Sequence, residues 1–209
     1  MHTVDLSQPI AAGMPVYPGD PEVTIAPALT VDADGVAVSR LDLGSHAGTH
    51  IDAPAHVRAD GGPVDAIPLE WLWGEARVLR VAAPGPERLV GPADLDLPSA
   101  LPLIVCIATG WDEHFGTETA LAHPALSRDL AAALWDRGAR VLGVDTLSPD
   151  PTGGDAGMPV HELWLGRGGA IIENLAGLAH VPDVVELSVL PLRLLGIDGS
   201  PVRAVARFP

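Results

Sequence analysis

The sequence contains no lysine, and all twelve of its basic residues are arginine. They are outnumbered by 27 acidic residues, which gives a formal net charge of −15 at pH 7. Because the arginines form no basic stripe, the composition argues against a nucleic-acid-binding protein. The single cysteine, Cys106, cannot form an intramolecular disulfide, and its position in an apolar run predicts a buried structural thiol.

Long apolar runs are also missing from the sequence. No run reaches the roughly 18 residues of a membrane-spanning helix, so we expect no transmembrane segment and no membrane partner. The first residues, MHTVDLSQPIAAG, lack the charged and apolar regions of a signal peptide. We therefore expect a cytoplasmic protein. With 209 residues, 47% of them apolar, the chain suits a single domain spanning residues 1–209.

Predicted strands outnumber predicted helices. Apolar or alternating patterns predict strands at 36–43, 76–82, 102–108, 141–145, 170–173, 184–192 and 202–208. The alternation at 36–43 predicts a half-buried strand, and the apolar run at 102–108 predicts a fully buried one. Helical spacing predicts helices at 125–139 and 161–166, and Ser127 is the expected N-cap of the first. The strand, helix and strand between 102 and 145 indicate a parallel strand pair. We therefore predict an α/β fold with a mixed, strand-rich sheet and few helices.

The segment HAGTHIDAPAH, residues 46–56, holds three of the eight histidines. Gly48 and Pro54 disfavour a helix, so the segment is predicted to be extended or looped. The even-numbered residues of an extended chain share one face, and here they are His46, His50, Asp52 and His56. Fully extended, residues 46 and 50 would lie about 13 Å apart. A bend near Gly48 would bring them within reach of one metal ion.

The donor atoms of this segment indicate the kind of metal site. Imidazole nitrogen and carboxylate oxygen are the ligands of catalytic zinc, manganese or iron sites. The sulfur ligands that are typical of structural zinc sites are absent from the segment. The residues therefore favour an open site with room for water. They do not separate His56 as a third histidine ligand from His56 as a proton-transfer group.

The segment resembles the signature of the metal-dependent cyclase-like hydrolases, H-x-G-T-H-x-D-x-P-x-H, with no departure. That family includes the bacterial kynurenine formamidases, and isatin hydrolases share the motif. Further segments are similar to the family, so that the resemblance covers nearly the whole chain: YPGDP (17–21), ATGWD (108–112), GVDTLSPD (143–150), HELWLGRGGAIIENL (161–175) and LPLRLLGIDGSPVRAVA (190–206).

The resemblance implies a fold of the swivelling β/β/α type and a homo-oligomer, either a dimer or a tetramer. It also implies a metal centre whose ligands are His46, His50, Asp52, His161 and Glu173. His56 is then left as an acid/base. Five ligands exceed the four of one tetrahedral zinc, so the expected cofactor is one or two Zn²⁺ ions, or Mn²⁺. Asp145 and Asp150 are candidates to orient the histidines.

The expected activity is hydrolysis of a small-molecule amide. Within the family, the resemblance favours an arylformamidase of tryptophan catabolism that converts N-formylkynurenine to kynurenine and formate. The same centre would also suit an isatin or cyclic-imide hydrolase, or a polyketide-type cyclase. A non-catalytic metal-binding protein is the remaining alternative. Tyr17, Trp71 and Trp111 are candidate substrate contacts, although core packing is the default for tryptophan.

Overall fold

The computed structural model describes residues 1–82, 84–153 and 157–209. Its strands are β1 (His2–Asp5), β2 (Thr24–Leu29), β3 (Val38–Asp42), β4 (His50–Asp52), β5 (Trp73–Arg80), β6 (Leu89–Val90), β7 (Ile104–Ala108), β8 (Ala125–Leu126), β9 (Val141–Val144), β10 (Ala170–Glu173), β11 (Val184–Ser188), β12 (Gly199–Pro201) and β13 (Val205–Phe208). Its α-helices are α1 (Val31–Asp34), α2 (Arg128–Asp136) and α3 (Pro159–Trp164). None of the helices in these ranges combines the length and hydropathy needed to cross a bilayer.

One sheet of nine strands organises the fold. Its order is β1-β13-β11-β5-β7-β9-β10-β4-β12. The four middle strands β5, β7, β9 and β10 run parallel. The outer strands all join antiparallel. The predicted α/β fold with a mixed, strand-rich sheet and few helices is confirmed.

The two faces of the sheet bury separate cores, as strand β7 illustrates. Ile104 and Cys106 point into the core that the curled sheet encloses, whereas Val105 and Ile107 point to the face that the helices cover. A strand that is buried on both faces has a continuous apolar sequence, and the segment 102–108 has such a sequence. Helix α2 follows, with Ser127 accepting a hydrogen bond from the backbone N–H of Leu130 at 3.1 Å. The predicted N-cap and the parallel β7–β9 pair are both confirmed.

Two predictions about strands are wrong in detail. The pattern at 36–43 predicts a half-buried strand, yet all five residues of β3 are exposed. Among the described residues, β3 pairs only with β2, and no core covers either of its faces. The strand predicted at 184–192 ends at Ser188. The chain beyond it turns toward a short edge strand, β12, which carries glycine and proline and so lacks a strand pattern.

Gly143 allows β9 to pack between its neighbours. A Cβ atom there would lie 2.7 Å from Cδ1 of Leu175 and 2.9 Å from Sγ of Cys106. We predict that Gly143→Ala lowers the free energy of unfolding by about 1–3 kcal/mol, the usual cost of overpacking a core. Urea denaturation measures it.

Gly74 in β5 is the matched control, since a Cβ there would meet no atom within 4 Å. Gly74→Ala should leave stability unchanged or raise it slightly, because alanine restricts the unfolded chain. Equal urea midpoints for the Gly143→Ala variant and the wild type would contradict the close packing of β9.

Candidate metal centre

Strand β4 brings two of the candidate ligands together. It lies between β10 and β12, with His50 opposite Glu173 and Asp52 opposite Gly199. The two-residue period of a strand turns His50 and Asp52 to one face, while Ile51 between them enters the core. All three residues of β4 are buried. The extended conformation predicted for this part of the motif is confirmed.

The chain bends at Gly48, which has φ +65°, a conformation that favours glycine. Its carbonyl accepts hydrogen bonds from Nδ1 of His50 at 2.8 Å and Nδ2 of Asn174 at 3.2 Å. The bend returns His46 toward β4, so that its Nδ1 lies 2.7 Å from Oδ1 of Asp52. The bend predicted near Gly48 is confirmed. It brings His46 close to His50 and Asp52, which would lie too far away for one site in a fully extended chain.

Helix α3 contributes His161 from the far side of the site. Its first turn is held by Asp150, whose carboxylate accepts the backbone N–H of Val160 at 2.8 Å and of His161 at 3.0 Å. The same carboxylate lies 2.7 Å from Nδ1 of His161. This bond directs Nε2 of His161 toward Glu173, 3.2 Å from its Oε1. Asp145 has no such role, since it accepts hydrogen bonds from Thr109 and Gly110 instead.

Three buried polar atoms face one another here without a hydrogen-bond partner. They are Nε2 of His50, Oδ2 of Asp52 and Oε1 of Glu173. His50 donates its Nδ1–H to Gly48, so its Nε2 faces the carboxylates, 3.3 Å from an oxygen of both Asp52 and Glu173. Nε2 offers a lone pair to a metal once it gives up its proton. Buried polar atoms without partners are rare and costly. Bound divalent cations would satisfy these atoms, so the residues fit the metal that the donor set indicates.

The electrostatics of the cluster also favour a cation. Burial alone would lower the pKa of His50, but the carboxylates of Asp52 and Glu173 outweigh it and raise the pKa to about 10. Burial would raise the pKa of Asp52, but the histidines around it hold the pKa well below its usual range. Two ionised carboxylates are therefore held together by the positive charge of their neighbours. A metal ion would supply that charge and displace the protons.

His46, His56 and Asp198 form the outer side of the site. His46 lies between two carboxylates, with Nε2 2.7 Å from Oδ2 of Asp198 and Nδ1 on Asp52. His56 comes from a short 3₁₀ turn, Pro54–His56, and its ring centroid is 4.1 Å from that of His46. Burial lowers the pKa of His56, and its Nδ1 is 3.6 Å from Oδ2 of Asp198.

The described residues contain three groupings of possible ligands, two of which share Asp52. Those two are His46, His50 and Asp52, and Asp52, His161 and Glu173. The third is His46, His56 and Asp198. The structure therefore brings all five candidate ligands together. Asp198 was not foreseen from the sequence, because it precedes the unrecognised strand β12 and meets the motif only through that strand's pairing with β4.

A cavity of about 350 Å³ opens onto His56 and onto all of the candidate ligands except Asp52. Tyr17, a candidate substrate contact, lines it, and so do Phe115, Leu147 and Met158. Phe115 carried no sequence signal. The two predicted tryptophans do not line this cavity. Trp71 lines a separate cavity beside Pro54 and Leu165, and buried Trp111 donates its indole N–H to the carbonyl of Thr119.

Comparison with known proteins agrees with this geometry. Residues 4–151, more than half of the chain, match the family described as "Putative cyclase". The chain belongs to this family. The match ends before His161 and Glu173, whose position beside Asp52 is seen in the structure. The resemblance drawn from the motif at residues 46–56 is confirmed.

Solved structures extend the similarity over the whole chain. A "potential metal-dependent hydrolase with cyclase activity" is 28% identical, with a TM-score of 0.81 over 100% of this chain and 99% of that one. A "predicted metal-dependent hydrolase" from Bacillus stearothermophilus is also 28% identical, with a TM-score of 0.78 over 98% and 97%. An isatin hydrolase bound to the product analogue thioisatinate shares the fold at 24% identity, with a TM-score of 0.85 over 99% and 92%.

We predict that Zn²⁺ or Mn²⁺ raises the melting temperature and that EDTA reverses the rise. The reason is that the candidate ligands lie close together only in the folded state. At a free metal concentration 100-fold above Kd, the free energy of unfolding should rise by about 2.7 kcal/mol. For a chain of this size, that corresponds to a rise in melting temperature of about 5–10 °C. Differential scanning calorimetry measures it.

The matched variants are His50→Ala and His123→Ala, because both histidines are 2% exposed. His123 is bound to Pro124 and Thr152, outside the cluster. The metal-induced rise should vanish in the first variant and persist in the second. An equal rise in both would mean that the ion binds elsewhere.

Proposed function

We propose that this cyclase-family protein is a metal-dependent hydrolase of aryl amides, and specifically an arylformamidase that converts N-formylkynurenine and water to kynurenine and formate. The observation that carries the proposal is the set of buried polar atoms without hydrogen-bond partners on His50, Asp52 and Glu173. His50 and Glu173 line a cavity whose wall includes the aromatic rings of Tyr17 and Phe115. Convergent polar groups in an apolar cavity are the usual form of a small-molecule site.

The proposed ligands are His46, His50, Asp52, His161 and Glu173. Because Asp52 belongs to both groupings of these residues, the site suits one or two ions of Zn²⁺ or Mn²⁺. When bound, such an ion supplies a hydroxide nucleophile near neutral pH and polarises a carbonyl oxygen.

The chain's own residues would carry out proton transfer and position the substrate. His56 lines the cavity beside the ligand cluster, and we assign it the proton transfer. It takes a proton from the attacking water and delivers it to the amide nitrogen, as the formyl carbon gains a C–O bond and loses its C–N bond. Tyr17 and Phe115 would pack against the aryl ring, which holds the amide toward His56.

Asp20 supports N-formylkynurenine as the substrate. It lines the cavity on the same loop as Tyr17. N-formylkynurenine carries an α-ammonium group, which a carboxylate at this position can bind by a charge-assisted hydrogen bond. Isatin is neutral and has no such group.

Isatin is the second candidate substrate, and a different observation favours it. None of the described residues that line the cavity is an arginine, so the α-carboxylate of N-formylkynurenine would find no guanidinium partner in that wall. The isatin hydrolase that shares this fold acts on a cyclic aryl amide of similar size. Ring opening of isatin would use the same proposed ligands and His56.

Steady-state kinetics of the metal-loaded protein on both substrates separates the candidates. We expect formate release from N-formylkynurenine with a kcat/KM at least about tenfold above that for isatin. We further expect Asp20→Asn to raise KM for N-formylkynurenine about two- to tenfold, the effect of losing a partly exposed ion pair, and to leave isatin kinetics unchanged.

Glu22→Gln is the control, because Glu22 is exposed and lies two residues away on the same loop. It should leave both substrates unaffected. A preference for isatin with no effect of Asp20→Asn would transfer the assignment to the second candidate. Failure to hydrolyse either substrate would overturn the aryl-amide proposal.

His56→Ala should lower kcat by about 10²- to 10⁴-fold, the usual contribution of a positioned acid/base, while the metal content per chain stays at the wild-type value. Elemental analysis and turnover are measured on the same sample. His180→Ala, at an exposed histidine, should change neither quantity. Loss of metal together with activity would make His56 a ligand, and full activity would remove it from the mechanism.

A further inference from the structure

Asn174, which directly follows Glu173 at the end of β10, has a left-handed backbone with φ +58°. A residue other than glycine keeps this conformation only where its surroundings hold it, and such residues cluster at functional sites. Here the N–H of Asn174 donates to the carbonyl of Thr146 at 3.0 Å, and its carbonyl accepts the hydroxyl of Thr49 at 2.5 Å. The backbone of Asn174 is thus fixed, on one side by the motif that carries the candidate ligands.

The hydrogen bond to Gly48 fixes the orientation of the Asn174 carboxamide. Nδ2 lies 3.2 Å from the carbonyl oxygen of Gly48, and because a carbonyl oxygen only accepts hydrogen bonds, the side-chain nitrogen must face it. The side-chain oxygen, Oδ1, is therefore turned away from Gly48. No donor among the described residues reaches Oδ1, although Asn174 is only 5% exposed. Most buried amide oxygens have a partner, so this one is free to accept a hydrogen bond from a ligand.

Asn174 lines the same cavity as His50, His56 and Glu173. Since both of its backbone polar groups are already bonded, the carboxamide is the part of the residue that can bind a ligand there. An amide oxygen accepts hydrogen bonds and does not titrate, so Oδ1 would bind a donor group of the substrate. A carbonyl or carboxylate oxygen of the substrate would be repelled from this position.

We propose that Oδ1 of Asn174 accepts the N–H of the amide bond that is cleaved, so that the site selects substrates whose amide nitrogen carries a hydrogen. The inference rests on the proposed hydrolysis of aryl amides and adds the class of amide. Secondary amides and lactams with an N–H are then substrates, whereas N-alkylated amides and esters are poor ones. N-formylkynurenine and isatin both have this N–H, so Asn174 serves either candidate.

The hydrogen bond also suits the proton transfer assigned to His56. While the amide is planar, the lone pair of its nitrogen is delocalised into the carbonyl group, and it becomes available for protonation as the carbonyl carbon turns tetrahedral. With its N–H held by Asn174, the nitrogen can present this lone pair to His56. An analogue without the N–H leaves Oδ1 buried and unpaired, which lowers kcat/KM about 10- to 100-fold.

Binding of isatin and of 1-methylisatin tests the proposal without turnover. The fused ring gives both compounds the same amide geometry, and they differ only in the hydrogen or methyl group on the nitrogen. The protein used is the metal-loaded His56→Ala variant, in which we expect the substrate to bind but not to react. Isothermal titration should give a Kd for isatin at least about tenfold below that for 1-methylisatin. Adding Asn174→Gly should weaken isatin binding about tenfold and leave the affinity for 1-methylisatin nearly unchanged.

Glycine adopts a left-handed backbone without strain, so Asn174→Gly should leave the melting temperature and the metal content of the protein unchanged. Asn174→Asp is the matched control, because aspartate also tolerates this backbone and retains an acceptor oxygen, and it should keep the preference for isatin.

The proposal is overturned if isatin does not bind, if the two compounds bind equally, or if Asn174→Gly leaves isatin binding unchanged. A gain in 1-methylisatin affinity alone would overturn it as well, because the carboxamide would then only exclude the methyl group. Failure of the wild type to hydrolyse any aryl amide would refute the proposed function, whereas the affinities would still decide whether Asn174 binds the N–H.

Discussion

The register of β4 is the constraint on which the site depends. This strand has only three residues, yet it is bonded on both sides, to β10 and to β12. That pairing places Glu173 beside His50 and brings Asp198 next to the end of the motif. Because side chains alternate along a strand, a slip of one residue would turn His50 and Asp52 into the apolar core and Ile51 into the cavity. The candidate metal centre and the fold therefore depend on the same hydrogen bonds.

A second constraint follows from the charges that this register buries. Asp52 and Glu173 would repel each other in the interior, and their neighbours offset that repulsion. His50 and His161 each direct Nε2 between the two carboxylates, because each has its Nδ1 occupied, by the carbonyl of Gly48 and by Asp150 respectively. Orientation of a ligand by an outer hydrogen bond is a general feature of metal sites. Here it leaves a buried set of imidazole and carboxylate groups that suits a cation.

The features that the sequence predicts well are local. The Gly48 bend, the extended β4, the capped helix α2 and the strands around it all follow from residue type and spacing within about ten residues. His161 and Glu173 could be named only through the family resemblance, since no local pattern links them to the motif. The sequence does not separate Asp150 from Asp145 as the group that orients a histidine, and only the three-dimensional structure shows that Asp150 contacts His161.

The features that the sequence misses depend on contacts between distant segments. Asp198 reaches His46 because β12 pairs with β4, a pairing that no periodicity reveals. The exposure of β3 depends on what packs against it. Its alternating pattern therefore predicts the strand correctly but predicts its burial wrongly. The sequence also does not show which aromatic residues line the cavity. Whether a tryptophan or a phenylalanine fills a core or lines a cavity depends on the segments that pack around it.

Anomalous X-ray diffraction from crystals grown with Zn²⁺ tests the central claim most directly, namely that β4, β10 and α3 converge on a metal ion. The predicted result is a zinc peak about 2.0–2.2 Å from Nε2 of His50 or His161 and from a carboxylate oxygen of Asp52 or Glu173. A second peak on the His46 side of Asp52 would indicate two ions. A data set in which the ordered zinc lies away from all four of these side chains, or in which His50 and Glu173 remain directly paired, would contradict it.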